Sequence, residues 1–169
     1  MPHTNLTPSP WVQRWSLRLK PGASVLDVAC GTGRHMQWFV QHGHSCTGID
    51  RSEQALALAQ ASGRVVLADI EAGPWPLAGQ QFDAIVVTNY LWRPLVPDIL
   101  AALAPGGLLI YETFAAGHEA VGRPSRPEFL LQRGELLRLF ASLRTLAYED
   151  DFFEQPPRFV QRIAALQTP

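Results

Sequence analysis

The sequence predicts an α/β fold, a three-layer sandwich in which helices cover both faces of a mostly parallel, doubly wound sheet. Three observations carry that expectation. Short, nearly continuous apolar segments such as SVLDVA (24–29) and FDAIVVTN (82–89) alternate with helix-compatible ones, the pattern of strands buried on both faces. A glycine-bracketed turn, ACGTG (29–33), directly follows the first of those strands. After residue 115 the alternation stops. Two strand-like segments then meet at Gln155-Pro156-Pro157, which predicts an antiparallel hairpin on the sheet edge.

Each element has its own signal. Trp11, Trp15 and Leu19 recur at helical spacing in WVQRWSLRLK and predict a short N-terminal helix, broken by Pro21-Gly22. After the first strand, Met36, Phe39 and Val40 predict a helix over 33–42 that stops at Gly43. SCTGID (45–50) reads as a strand, SEQALALAQA (52–61) as a helix and RVVLAD (64–69) as a third strand. The turn-rich EAGPWPLAGQQ leads into FDAIVVTN, the longest β-branched run. Pro94 and Pro97 suit a helix start, DILAALA carries it to the PGG turn at 105–107, and LLIYETF (108–114) is the next strand. AGHEAVGRPSRPEF is loop-like, GELLRLFASL helical, and RTLAYEDDFFE and RFVQRIAAL form the hairpin.

Composition narrows the function. The 169 residues carry a formal net charge of −1, so no overall basic field draws the chain to nucleic acid or a membrane surface. Cys30 and Cys46 lack CxxC spacing and a histidine grid, so they read as reduced thiols and no metal site is expected. His3, His42 and His44 read as surface residues. There is no signal-like leader and no apolar run of membrane-spanning length, so the expected location is the cytoplasm.

The turn after the first strand is the candidate site. Gly31 and Gly33 supply a GxG, but Met36 stands where a dinucleotide fingerprint has its third glycine. No Lys-Ser or Lys-Thr follows, which excludes a Walker-type phosphate loop. Asp27 lies inside the strand end, where a carboxylate needs hydrogen bonds or a cation. Asp50 ends the second strand, 23 residues on, where it can accept both hydroxyls of a ribose or cap the next helix before Ser52-Glu53. Asp69 ends the third strand, where it can accept from an exocyclic amine. Three consecutive strands ending in aspartate would ring one crevice.

On Asp27, Ala29, Gly31, Gly33, Asp50 and the pair Asp69-Ile70, with FDAIVVTNYLW and LAPGG, the sequence resembles the class I, Rossmann-like S-adenosylmethionine-dependent methyltransferases. It is most like a small bacterial branch similar to tellurite-resistance-type enzymes. The resemblance implies a seven-stranded sheet of order 3-2-1-4-5-7-6 with an antiparallel last strand. It also implies a single domain, with a lead-in at 1–22, a cofactor-binding half at 23–115 and a substrate-side loop, helix and hairpin at 116–169. S-adenosylmethionine is the implied cofactor, held by Asp27, Ala29, Cys30, Gly31, Gly33, Asp50, Arg51, Asp69, Ile70 and Asn89. Alanine at 29 replaces the first glycine of the family's motif. Asn89 and Tyr90 are expected to position the reacting groups, and Trp92, Arg93, Glu112, Arg123 and Arg126 to meet the substrate. Arg34 and His35 open a helix at a place suited to an anion. Tyr111 and His118 could border the acceptor.

The expected activity is in-line methyl transfer to a small-molecule acceptor. The Asn/Asp-Pro-Pro-Tyr/Phe motif of exocyclic-amine methylation is absent, and no basic stripe with interleaved aromatics replaces it. Two rivals stay open: a non-catalytic S-adenosylmethionine-binding module or partner subunit, and an NAD-dependent oxidoreductase. The latter calls for the missing third glycine and for a parallel sixth strand.

Overall fold

The structure, a computed structural model, describes residues 6–169, so His3 lies outside the described residues. Seven strands, β1 (Ser24–Val28), β2 (Ser45–Asp50), β3 (Arg64–Leu67), β4 (Phe82–Thr88), β5 (Leu103–Phe114), β6 (Arg144–Glu154) and β7 (Pro157–Leu166), form one sheet. Its order is β3-β2-β1-β4-β5-β7-β6, as the resemblance implied. Strands β1 to β5 pair in parallel, whereas β7 runs antiparallel to both β5 and β6.

Alternation along the strands fills both faces, because successive side chains point to opposite sides. Val25, Ala84, Val86, Leu108 and Ile110 pack under α1 (Pro10–Ser16), α2 (Arg34–Gln41) and α3 (Glu53–Ala59). Leu26, Ile85, Val87, Leu109 and Tyr111 pack under α4 (Val96–Ala102) and α5 (Glu135–Leu139). All ten are buried, which explains why these strands read as unbroken apolar runs.

Several boundaries differ from the sequence-based expectation. α1 ends at Ser16, where Arg18 and Leu19 donate to Trp15 and Ser16 and tighten the last turn; Leu17 is left in solvent. In α2 the buried face is His35, Met36 and Phe39, and Val40 is exposed. His35 takes the inward place because its Nε2 accepts the Ser9 amide at 3.0 Å, which satisfies a buried ring nitrogen. Burial holds that ring neutral, with its pKa lowered to about 3. β3 stops at Leu67, so Asp69 follows the strand and does not end it. β5 begins at Leu103: Phe82 pairs with Leu103 but Ala84 with Leu108, so the PGG turn bulges out of a strand that continues past it. α5 is shorter than expected because Phe140 leaves the helical region.

Gly48 shows how tightly β2 meets the candidate site. A Cβ there would lie 2.4 Å from Met36 Sδ and 2.6 Å from Cys30 Sγ. The Gly48→Ala variant is therefore expected to lose about 1–3 kcal/mol to overpacking. Thermal denaturation checks this, and an unchanged melting temperature would show that the contact is loose.

Candidate active site

The carboxyl ends of β1, β2 and β4 turn outward around a cavity of about 360 Å³, a size typical of small-ligand clefts. Two turns there carry strain. Ala29 follows β1 with φ 56° and Asn89 follows β4 with φ 53°, both in the left-handed region, and both line the cavity. A non-glycine residue held there costs on the order of 1 kcal/mol and persists where surrounding structure demands it. The geometry explains why a glycine fits the position of Ala29. Ala29→Gly is expected to raise stability by up to about 1 kcal/mol, part of the gain being lost to unfolded-chain entropy, whereas Ala29→Val is expected to destabilise. Paired melting curves check both directions.

Asp27 is the most unusual group. It lies within β1 between Gly48 of β2 and Val86 of β4, is 1 % exposed, and neither carboxylate oxygen has a hydrogen-bond partner among the described residues. Burial pushes its pKa up to about 7; the nearby Arg34 guanidinium opposes that shift and the Asp50 carboxylate adds to it. Buried carboxylates are ordinarily paired or hydrogen-bonded. Here both oxygens are left for a cation or donor that the described residues do not supply.

Asp50 is anchored. Its Oδ2 accepts the Gly31 amide at 2.8 Å and its Oδ1 accepts the Ser52 amide at 2.9 Å, which ties the glycine turn to the start of α3. The cap of α3 is Ser52, whose hydroxyl accepts from Ala55, so Asp50 is free of that role. Asp69 Oδ1 accepts the amides of Glu71 and Ala72, which aims the loop after β3 at the cavity. Ile70 and Glu71 line it with Asp69, and Tyr90 closes one side by donating its hydroxyl to Glu71 at 3.1 Å.

The glycine turn divides its duties. Beside Gly31 a Cβ would meet nothing within 4 Å, so space is open there, while at Gly33 it would sit 3.0 Å from Ala59 of α3. Gly33 thus allows α2 and α3 to approach. Cys30 and Cys46 are free and buried, and burial raises both thiol pKa values, as a structural role requires. Ala29, Asp50, Arg51, Asp69, Ile70, Asn89 and Tyr90 line the cavity, whereas Asp27, Cys30, Gly31 and Gly33 do not.

A second cavity of about 520 Å³ adjoins the first, since Asn89 and Phe114 line both. Glu112, Arg123, Arg34 and His118 border it. Glu112 is not available as a base. Its Oε1 accepts from Ser9 Oγ at 2.8 Å and its Oε2 pairs with Arg162 at 3.1 Å. His118 stacks on Phe114 and its Nε2 lies 3.0 Å from the Arg123 carbonyl.

Three residues expected on the substrate side are placed elsewhere. Arg93 pairs with Glu135 and donates to the carbonyls of Glu128 and Leu130, so it clamps the loop before α5. Trp92 packs against the core beneath α4 and α5. Arg126 is exposed, 3.9 Å from Glu128. None of the three lines either cavity.

Sequence reasoning missed Thr113, Phe114, Pro124 and Phe129 in the first cavity and Ser9 and Arg158 in the second. Arg158 had one usable signal, the hairpin itself. Because β7 is antiparallel to β5, with Phe114 opposite Val160, the hairpin tip returns to the carboxyl end of the sheet.

Comparison with known proteins agrees with this geometry. The family model described as "Methyltransferase domain" matches residues 25–107. The chain is 40% identical over 103 residues to a malonyl-[acyl-carrier protein] O-methyltransferase of Enterobacter lignolyticus, covering 56% of this chain and 40% of that one. It is 30% identical over 149 residues to a trans-aconitate 2-methyltransferase of Delftia acidovorans, covering 78% and 55%. A tRNA U34 carboxymethyltransferase of Klebsiella pneumoniae is 32% identical over 104 residues, covering 54% and 31%. The chain thus spans only about half, or less, of the length of these relatives. The structure of TehB from Haemophilus influenzae superposes with a TM-score of 0.81 at 18% identity, covering 95% of this chain and 63% of that one, which is a likeness of fold. The chain carries a class I S-adenosylmethionine-dependent methyltransferase domain.

Proposed function

We propose that the chain binds S-adenosylmethionine in the cavity at the ends of β1, β2 and β4 and methylates a small molecule held in the adjoining one. The observation that carries this reading is Asp27, a buried carboxylate without a partner among the described residues, two positions before Ala29 at the wall of the cleft. An α-ammonium group is the donor that would satisfy it. Asp50, already oriented by two backbone amides, takes the ribose hydroxyls on its outward lone pairs. Asp69 accepts from the adenine amine, with Ile70 against the ring.

The bound cofactor supplies an activated methyl group on a sulfonium sulfur. What remains for the protein is positioning, for which orientation alone can be worth effective molarities on the order of 10⁵ M or more. Asn89 and Phe114, shared by the two cavities, stand where donor and acceptor meet. Tyr90, held by Glu71, fixes one wall. Pro124 and Phe129 add apolar cover that excludes water.

A small-molecule acceptor is favoured by the size of the second cavity and by the net charge of −1, which provides no field for a polyanion. The relatives named malonyl-[acyl-carrier protein] O-methyltransferase and trans-aconitate 2-methyltransferase are consistent with it, whereas the tRNA-acting relative marks the other possibility.

Incubation with methyl-labelled S-adenosylmethionine and a cell extract, fractionated by size, tests the reading. Label is expected in the small-molecule fraction. Label confined to RNA would overturn the acceptor class, and binding of the cofactor without any transfer would favour a non-catalytic module. Binding of NAD in place of adenosyl ligands would overturn the cofactor assignment.

A further inference from the structure

We infer that the second cavity selects an acceptor bearing an oxyanion, a carboxylate or phosphate, held by Arg34, Arg158 and Arg123. The inference rests on the cofactor reading above and goes beyond it in naming the acceptor's chemistry.

The cavity gathers three guanidinium groups and one carboxylate. The carboxylate, Glu112, is consumed: it pairs with Arg162, which also pairs with Glu149, and accepts from Ser9. The three cavity arginines have no salt bridge among the described residues. Arg34 Nη1 donates to the Thr7 carbonyl at 3.0 Å, Arg123 Nη1 donates to Ser125 Oγ at 3.2 Å, and the Arg158 guanidinium lies 5.4 Å from the Phe153 ring centre. Neutral contacts such as these orient a guanidinium without pairing it directly with a carboxylate.

Three like charges facing one cavity repel, and the protein bears that cost. Arg34 shows it. Burial is the largest cause lowering its pKa, the Asp27 and Glu112 carboxylates oppose it, and Arg158 adds a smaller lowering of its own. A planar fork of donors matches carboxylate and phosphate oxygens, and a bound oxyanion would remove the repulsion.

Topology explains how the three are assembled. Arg34 opens α2 after the glycine turn, Arg158 comes from the hairpin tip beside the end of β5, and Arg123 from the loop that also places Pro124 over the first cavity. They come from three separate segments of the chain, so no spacing motif announces them.

The cofactor's own carboxylate could occupy one arginine, and the test removes that ambiguity. Protein is first saturated with S-adenosylhomocysteine, then titrated calorimetrically at constant ionic strength with citrate, inorganic phosphate, or neutral propane-1,2,3-tricarboxamide. We expect citrate or phosphate to bind, the triamide not to bind, and Arg158→Gln to weaken the anion at least tenfold without changing S-adenosylhomocysteine affinity. Tighter citrate identifies a carboxylate acceptor and tighter phosphate a phosphorylated one. Arg123→Gln, at an exposed position, serves as the second variant, with an expected loss of severalfold. Anion binding that is absent, or equal in wild type and both variants, overturns the inference. Failure of S-adenosylhomocysteine to bind at all would instead sink the cofactor reading.

Discussion

Asp27→Asn is expected to stabilise the ligand-free protein at pH 8 while weakening S-adenosylmethionine binding at least tenfold. The direction follows from linkage. A carboxyl whose folded pKa is raised from 3.8 to about 7 binds protons more readily when folded than when unfolded. Its ionisation therefore costs nothing below the unfolded value, costs progressively more as pH rises between the two values, and costs the full amount above about 7. A rise of that size corresponds to roughly 4 kcal/mol, at about 1.4 kcal/mol per unit, an upper bound because solvent entry and local relaxation reduce it. The asparagine amide needs partners too, which leaves a net gain of about 1–3 kcal/mol. Melting curves at pH 8 and pH 4 check it: the variant should melt several degrees higher at pH 8, and the difference should shrink toward pH 4. Equal melting temperatures at pH 8 would mean that Asp27 has a partner in solution.

The second large effect is at Asp50. Asp50→Ala removes the acceptor for the Gly31 and Ser52 amides and, on the proposed function, both ribose contacts. Two charge-assisted hydrogen bonds at about 1.5–3 kcal/mol each predict an affinity loss of 100-fold or more. Apo stability should fall by about 1–2 kcal/mol, because the turn loses its tie to α3. Titration of both proteins with S-adenosylhomocysteine separates the two roles. A variant that melts lower but binds normally would make Asp50 a purely structural anchor.

Much of this arrangement was legible in the sequence because it is local. Strand faces, the glycine turn and the three aspartates are read from spacing, and of those aspartates Asp50 and Asp69 line the cleft while Asp27 does not. Ala29 is a clear case, since the substitution is visible in sequence and its positive φ shows what the position demands. What resisted reading depends on long-range pairing. Arg93 looked available because Glu135, its partner, lies 42 residues away. Glu112 lines the second cavity, but that its carboxylate is already paired was not readable, because Arg162 and Ser9 reach it from β7 and from the N-terminal cap of α1. Arg158 went unremarked because only the antiparallel register of β7 carries it to the site. Charge at this site is assigned by tertiary contacts, which decide both the arginines that are neutralised and those left over.

The most direct measurement is the number of protons released when S-adenosylmethionine binds, obtained from calorimetric titrations at pH 6 in buffers of different ionisation enthalpy. Asp27 with a pKa of about 7 is mostly protonated at pH 6 and must ionise to receive the cofactor's ammonium group. Release of most of one proton per cofactor is therefore predicted at pH 6, shrinking as the pH rises through 7 and absent in Asp27→Asn. Binding at pH 6 without proton release, or with the same release in Asp27→Asn, would contradict the account.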